Sequence, residues 1–141
     1  MRSLLFLLAL VGCSNAPERT RIEAGSVETS ASGGLKAAIG IAAGSRLVPV
    51  LDTDCHLPCS TTQVIRPASA DQQEIAFWLY QGTGSELVDA TPLGTYRVSW
   101  AEQSERPSQI EVTFTAEPDG IFLHAKGQPN GGALPVTRDA P

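Results

Sequence analysis

The sequence predicts an all-β protein, an antiparallel β-sandwich of seven to nine short strands. In the segment 109–114, Gln-Ile-Glu-Val-Thr-Phe, every second residue is apolar, which is typical of a half-buried strand. Asp119-Gly120 is a tight-turn dipeptide, and an apolar run resumes at Ile121, so this region is predicted to be a hairpin. Thirteen glycines and ten prolines favour turns, and no helical periodicity follows the first dozen residues.

The composition limits the classes of partner. A length of 141 residues suits one small folded unit, and 42% hydrophobic residues are sufficient for a core. The net charge of −5 comes without a basic cluster, which argues against nucleic acid or an anionic membrane surface as the partner.

The amino terminus predicts a lipoprotein signal. The apolar run Leu4–Val11 is too short to span a bilayer. The following Leu10-Val11-Gly12-Cys13 resembles a bacterial lipobox, which implies cleavage before Cys13 and lipidation of its sulfur, with palmitate among the acyl chains. The alternative is an ordinary secretory signal with a chance cysteine. Ser14, rather than Asp, follows the cysteine, and by resemblance to enterobacterial sorting this implies the outer membrane.

The remaining organisation follows from patterning. Residues 14–34 are polar and rich in Ser, Thr and Gly, as in a flexible linker. The expected divisions are a signal peptide at 1–12, a lipidated cysteine and disordered linker at 13–34, the sandwich at 35–138 and a tail at 139–141. Strands are expected at 35–42, 46–51, 60–66, 73–80, 93–100, in the hairpin from 109, and at 133–137, with a loop at 81–91 holding a possible short edge strand.

An ordered set of fragments resembles a known family. The fragments are Pro49-Val50-Leu51, Leu57-Pro58, Gln63-Val64, Tyr80-Gln81-Gly82, Leu93-Gly94 and the segment 109–120. Together they resemble the substrate-binding β-sandwich of the 70-kDa heat-shock chaperones, the DnaK type, from about Leu35 to Arg138. The resemblance implies a groove that holds an extended apolar peptide by backbone hydrogen bonds and one apolar pocket.

The resemblance also implies site residues. The pocket residues would be Ile65, Ile75, Phe77 and Ile110. The residues that arch over the peptide would be Ala42, Ala43 and Ala68. The first strand aligns in two registers, so that either Ile39 or Gly40 takes the adjoining position, and a slip of one residue would reverse its faces. Without the resemblance, each of the four pocket residues would be read as ordinary core.

The chain departs from that family in ways that affect function. It is too short for an ATPase domain, and the coupling linker and helical lid are not expected. Gly82-Thr83-Gly84 lacks the glycine and lysine of a phosphate loop. Arg106 aligns with a family arginine that contacts the lid. The sequence therefore predicts no enzyme, no nucleotide and no cofactor; the expected partner is an apolar peptide segment or an envelope protein.

The cysteines allow several states. With Cys13 lipidated, Cys55 and Cys59 form an even pair in an oxidising compartment, which favours a disulfide. A redox site, a metal site with His56 and two free thiols are the alternatives. No metal ligand set is predicted, since a fourth ligand is missing.

Three functions compete at this point. The first is a membrane-anchored peptide-binding sandwich at the bacterial envelope, and the second is a docking module whose groove is filled. The third is a thiol oxidoreductase using Cys55 and Cys59. Trp78 is expected to pack on a sheet; an exposed Trp78 would instead indicate a contact patch.

Overall fold

Nine strands form two antiparallel sheets in the computed structural model, which describes residues 27–140. Cys13, the predicted signal peptide and residues 13–26 of the predicted linker lie outside the described residues. The strands are β1 Ala38–Ala43, β2 Arg46–Leu51, β3 Cys59–Ile65, β4 Glu74–Gly82, β5 Thr91–Ser99, β6 Gln109–Glu117, β7 Gly120–Gln128, β8 Gly132–Leu134 and β9 Val136–Asp139.

The two sheets confirm the predicted antiparallel sandwich. One sheet has the order β2-β1-β4-β5-β9, and the other has the order β3-β6-β7-β8. Every pairing between these strands is antiparallel, and β2 approaches β3 and β6 of the opposite sheet. Four consecutive pairs, β1–β2, β4–β5, β6–β7 and β7–β8, are therefore hairpins within a sheet, whereas the β2–β3, β3–β4, β5–β6 and β8–β9 connections cross between the sheets.

The β6–β7 hairpin forms as the alternation predicts. The even-numbered residues of β6 from Ile110 to Ala116 are fully buried, whereas the odd-numbered residues are half-exposed. Glu117 pairs with Gly120 across a two-residue turn, at the position of the predicted Asp119-Gly120 turn. One face of the hairpin thus packs on the core, and the other faces water.

The core lies between the inner faces of the two sheets. Its largest fully buried side chains include Tyr96, Phe114, Ile39, Leu79 and Leu93. Each such side chain contributes on the order of 1.5–3 kcal/mol by leaving water. Tyr96 is the polar exception, and its hydroxyl donates a hydrogen bond to the carbonyl of Ile121 at 3.1 Å.

The folded region begins earlier than the predicted boundary at Leu35. Val27 is only 4% exposed and belongs to the core cluster. The amide of the buried Gln81 binds this segment, because its oxygen accepts from the Glu28 N–H at 2.9 Å and its nitrogen donates to the Glu28 carbonyl at 3.0 Å and the Ala37 carbonyl at 3.0 Å. Residues 27–34 therefore pack on the sandwich, although their composition is that of a linker.

Smaller differences occur at one loop and at the carboxyl end. The loop between β4 and β5 holds a short 3-10 turn at Leu87–Asp89, and a single bridge pairs Glu86 with Arg46. β9 extends to Asp139, the first residue of the predicted tail. Between residues 27 and 140 there is no helix with the length and apolar character needed to cross a membrane.

Candidate functional site

The β1–β2 hairpin separates from β4 at one end of the sandwich. Pairing between β1 and β4 ends at Ile41 opposite Leu79, whereas pairing between β1 and β2 continues to Ala43 opposite Arg46. Within the described residues, β4 from Glu74 to Trp78 therefore pairs with β5 alone. We call the resulting opening the slot, bounded by the hairpin tip 42–46 and by the 66–73 connection that enters β4 at the same end.

The predicted pocket residues lie together beneath the slot. Ile65 is the Cα partner of Ile110 across β3 and β6, and Ile75 and Phe77 occupy the same inward face of β4. Phe77 is 4% exposed and Ile110 is fully buried, so both belong to the core. Ile65 and Ile75 are half-buried and pack against that core from its open side. The latter two are the accessible apolar surface of the predicted pocket.

Ile41 adds apolar surface that the sequence analysis did not assign to the site. It is half-buried, packs against the core and lies on the same face of β1 as the buried Ile39. Its partner Val48 is 50% exposed on that face. The i, i+2 spacing of Ile39 and Ile41 is the sequence signal that could have identified this position.

The structure decides between the two registers considered for β1. Ile39 faces inward, and Gly40 faces outward. A Cβ at Gly40 would lie 2.5 Å from the Val48 carbonyl oxygen and 2.9 Å from a methyl of Leu47. Leu47 is buried on the outer face and pairs with the half-buried Ala42. Glycine at position 40 therefore allows the two strands of the hairpin to approach closely.

Backbone hydrogen bonds to the β4–β5 loop hold the hairpin tip in place. The N–H of Leu47 donates to the Ser85 carbonyl at 2.8 Å, and the N–H of Leu87 donates to the Ser45 carbonyl at 3.0 Å. Gly44 has φ = 65°, the left-handed conformation that the turn requires. Ala43, one of the predicted arch residues, is exposed at this tip on the face of Ile41.

The 66–73 connection forms the other wall and is held by hydrogen bonds. The N–H of Ala68, an exposed predicted arch residue, donates to Gln72 Oε1 at 2.6 Å. The indole N–H of Trp100 donates to the Gln72 carbonyl at 2.8 Å. Arg106, which the sequence analysis aligned with a lid-contacting arginine of the 70-kDa heat-shock chaperones, donates to the Ser69 carbonyl. These contacts tie the wall to the loop between β5 and β6.

Two carboxylates near this wall interact with neighbouring groups. The Ser69 hydroxyl donates to Asp71 at 2.9 Å and is the main cause that lowers the pKa of Asp71, with a smaller contribution from the Arg106 charge. A Glu74 carboxylate oxygen lies 3.5 Å from a guanidinium nitrogen of Arg97. Since both pairs are exposed, their effect on stability is small.

The cysteines lie at the opposite end of the sandwich. Cys55 and Cys59 are joined in a disulfide with their Cα atoms 5.9 Å apart. Cys59 pairs with Ala116, at the end of β3 remote from Ile65. The same loop contacts the amino-terminal segment, because the N–H of Leu57 donates to the Gly33 carbonyl at 3.2 Å. The described part of the chain has no cluster of three or more His, Cys, Asp or Glu side chains arranged for a metal ion.

Trp78 is 50% exposed on the outward face of β4, in contrast to the expectation that it packs on a sheet. It borders a cleft of about 290 Å³ whose lining also includes Tyr80, Pro92 and Thr95. Trp100, by contrast, is 4% exposed. The exposed Trp78 is therefore a surface feature distinct from the slot.

The fold and the site define a class of protein, an antiparallel β-sandwich with an apolar slot at one end. No family model matches the chain. The chain is 27% identical over 96 residues to the chaperone protein DnaK of Buchnera aphidicola subsp. Schizaphis graminum (strain Sg). The match covers 67% of this chain and 15% of DnaK. It involves the substrate-binding part of DnaK rather than its ATPase domain, and it supports a distant relationship to the 70-kDa heat-shock family.

Proposed function

We propose that the protein binds extended apolar polypeptide segments in the slot. The observation that carries this proposal is the end of β1–β4 pairing at Ile41 and Leu79, which leaves β4 accessible beside half-buried isoleucines. The distant relationship to the substrate-binding part of DnaK supports the same function. Binding would need no ATP hydrolysis by this chain.

The slot offers both kinds of contact that an extended peptide uses. The backbone of β4 from Glu74 to Trp78 presents groups on its β1 side that strand addition would satisfy. An apolar side chain of the peptide would enter between Ile41, Ile65 and Ile75. A leucine buried there would contribute roughly 1.5–3 kcal/mol, so binding is expected to be weak and tolerant of sequence.

We further propose that lipid on Cys13 holds the protein at the bacterial envelope, on the outer membrane. The lipobox-like sequence before Cys13 supports this. Val27 and Gln81 lie at the end of β4 opposite the slot, so an anchor preceding Val27 would leave the slot directed away from its attachment point. Mass spectrometry of the protein from bacterial membranes tests the anchor; an unmodified Cys13 would refute it.

Peptide titrations test binding in the slot. The full chain bearing Cys13→Ser, which cannot be acylated, is titrated into a fluorescent leucine-rich peptide, and saturable binding is expected. Ala43→Glu places a charge at the slot on an exposed residue, and Ile75→Asp places one in its floor. Both should weaken binding at least tenfold.

The matched control lies on the same strand. Trp78→Gln alters the outward face of β4 and should leave the affinity unchanged. Circular dichroism and thermal melts establish that each variant is folded. If the folded Ala43→Glu protein binds as tightly as the parent protein, the slot is not the binding site.

A second candidate function is docking on an envelope protein through the Trp78 face. The exposed Trp78 and its cleft favour it, as does the burial of Phe77 and Ile110 by the core. A photo-crosslinking amino acid at position 78 should then capture a discrete partner in cells, whereas one at position 43 should not. The reverse pattern would reject docking and favour the slot.

A further inference from the structure

We propose that the protein forms a weak homodimer in which the free edges of β3 from two copies pair antiparallel, with Thr62 on the twofold axis. The interface lies on a sheet edge rather than in the slot, so it does not depend on the proposed function. Three features of β3 support it: the edge lacks protection, its backbone groups are unused, and the pairing that they allow is self-complementary.

The edge of β3 is unprotected, unlike the other sheet edges of the described chain. The four edge strands are β2 and β9 in one sheet and β3 and β8 in the other. Proteins usually protect such edges with charged residues, proline, bulges or short strands. β2 contains Arg46 and Pro49, β9 contains Arg138 and Asp139, and β8 has only three residues. β3 has seven residues, none of them charged or proline, and it pairs with β6 without a bulge.

The backbone groups of Ser60, Thr62 and Val64 point away from β6. Glu117 and Gly120 close the two-residue β6–β7 turn, and such a closing pair exchanges both of its backbone hydrogen bonds. The odd-numbered residues of β6 therefore bond to β7, and its even-numbered residues bond to the odd-numbered residues of β3. The even-numbered residues of β3 are left with their N–H and C=O groups directed to the free edge.

The side chains and the surroundings of β3 agree with this direction. The hydroxyls of Thr62 and Thr113 are 2.9 Å apart, as expected for the closely spaced pairs of an antiparallel ladder that exchange no backbone hydrogen bonds. Ser60, Thr62 and Val64 are all exposed. Between residues 27 and 140, neither an isolated bridge nor a backbone hydrogen bond from a loop reaches these three residues. The edge is therefore open to a further strand.

A second copy of β3 fits this edge. When Thr62 lies opposite Thr62 of the second copy, Ser60 lies opposite Val64 in both halves, so the free N–H and C=O groups of all three residues find partners. A change of register by two residues brings either Pro58, which has no N–H, or the charged Arg66 into the ladder. The central register is therefore favoured.

The twofold pairing closes at a dimer, because each copy has only one such edge among its described strands. The two four-stranded sheets then form one continuous sheet of eight strands. Since a single strand of each copy enters the interface, the buried area is expected to be at or below roughly 1,200 Å², as in transient complexes. The dimer should therefore be weak and depend on protein concentration.

The antiparallel arrangement directs the two slots to opposite ends of the eight-stranded sheet. This is compatible with the proposed attachment of both copies to one membrane. Thirteen residues separate Cys13 from Val27, and a chain of this length spans at most about 45 Å. A strand of nine residues, the longest in the sandwich, is only about 30 Å long.

Analytical ultracentrifugation tests the dimer, with the full chain bearing Cys13→Ser at micromolar to millimolar concentrations. Thr62→Pro removes the N–H that faces the free edge. The monomer should tolerate proline there, because β6 does not use this N–H, whereas the dimer would place the proline in the middle of a sheet. Dimerisation should weaken at least about tenfold.

The matched control is Thr62→Val. It removes the hydroxyl that contacts Thr113 but keeps the backbone N–H, so dimerisation should be unchanged. Circular dichroism and thermal melts establish that each variant is folded.

Charge variants test the register by a second route. Thr62→Lys and Thr62→Glu each place like charges opposite one another on the twofold axis, whereas an equimolar mixture of the two places opposite charges there. The mixture should dimerise roughly fivefold more tightly than either variant alone at low ionic strength. This difference should disappear at high ionic strength, since exposed charges are screened.

Hydrogen exchange identifies what occupies the edge. Protection of the Thr62 and Val64 amides should increase with protein concentration, whereas the Thr61 amide, which faces β6, should be protected at every concentration. If protection of Thr62 does not depend on concentration, the chain's own residues cover the edge and the dimer is rejected. If a leucine-rich peptide protects Thr62 in a monomer, the edge belongs to another polypeptide and the dimer is likewise rejected.

Three further results would overturn the proposal. The first is a parent protein that stays monomeric up to millimolar concentration. The second is a dimer that persists undiminished in the folded Thr62→Pro variant, and the third is equal dimerisation of the charge variants alone and mixed. Peptide binding in the slot is measured separately and could survive each of these results.

Discussion

Phe77 of β4 and Phe114 of β6 meet edge to face across the sandwich, with ring centroids 5.7 Å apart and ring planes at 87°. Both rings are nearly or fully buried, and each comes from the centre of a different sheet. The pair therefore joins the two layers beneath the slot. An edge-to-face pair stabilises by roughly 0.5–1.5 kcal/mol beyond the area that it buries.

Truncation of Phe114 tests this contact. Phe114→Ala should lower the free energy of unfolding by about 3–5 kcal/mol, because a large buried ring is replaced by a cavity. Phe77→Leu, Phe114→Leu and the double variant form a cycle whose coupling should be about 0.5–1.5 kcal/mol in urea denaturation. Val88→Ala, at a residue 87% exposed, is the control and should change little. Purely additive leucine variants would contradict a direct ring–ring contribution.

Replacement of Gln81 tests the attachment of the amino-terminal segment. Gln81→Ala should cost about 1–3 kcal/mol, because it removes the side-chain partners of the Glu28 N–H and the Ala37 carbonyl and one of the two donors to the Glu28 carbonyl, which keeps the Lys36 N–H. Hydrogen exchange at the Glu28 amide should accelerate before global unfolding. Gln63→Ala, on an exposed strand position, is the matched control. Unchanged exchange at Glu28 would contradict the described attachment.

Removal of the disulfide tests whether its role is structural. It closes a five-residue loop, for which the chain-entropy estimate is about 2 kcal/mol. The double variant Cys55→Ala, Cys59→Ala should lose about that amount of stability and keep its peptide affinity, because the loop lies at the end remote from the slot. A reductant should destabilise the parent protein and leave the double variant unaffected. Loss of peptide binding in the folded double variant would contradict this separation.

The sequence predicted the local features of the fold well. The β6–β7 hairpin combines strict alternation with a turn dipeptide, and both signals lie within the hairpin itself. The start of β1 was less determined, because the run from Leu35 to Ala42 is apolar or small at every position except Lys36, so that alternation appears only near its end, at Ile39 and Ile41. Residues 27–34 pack through Gln81, whose partner Glu28 is 53 positions away. Composition describes the segment alone and cannot report such a partner.

The candidate site was predicted only in part, for a similar reason. Resemblance selected Ile65 and Ile75, and the structure places both at the open side of the core. The opening itself depends on where the β1–β4 ladder stops, which is a property of the assembled sheet.

The buried Tyr96 hydroxyl predicts a loss of stability at high pH. Burial is the main cause that raises the pKa of Tyr96 to about 12, above its ordinary value of 10.0, while the nearby Arg138 opposes the shift. Between those two values the unfolded chain releases this proton and the folded chain keeps it, so the free energy of unfolding falls as pH rises, by about 2–3 kcal/mol in total. Urea denaturation at a series of pH values measures this slope. Tyr96→Phe forfeits the hydrogen bond to the Ile121 carbonyl but removes the titrating group, so its slope should be shallower, and its total loss of stability over this pH range should be smaller than that of the parent protein by about 2–3 kcal/mol. Parallel slopes for the two proteins would show that Tyr96 titrates alike in the folded and unfolded states.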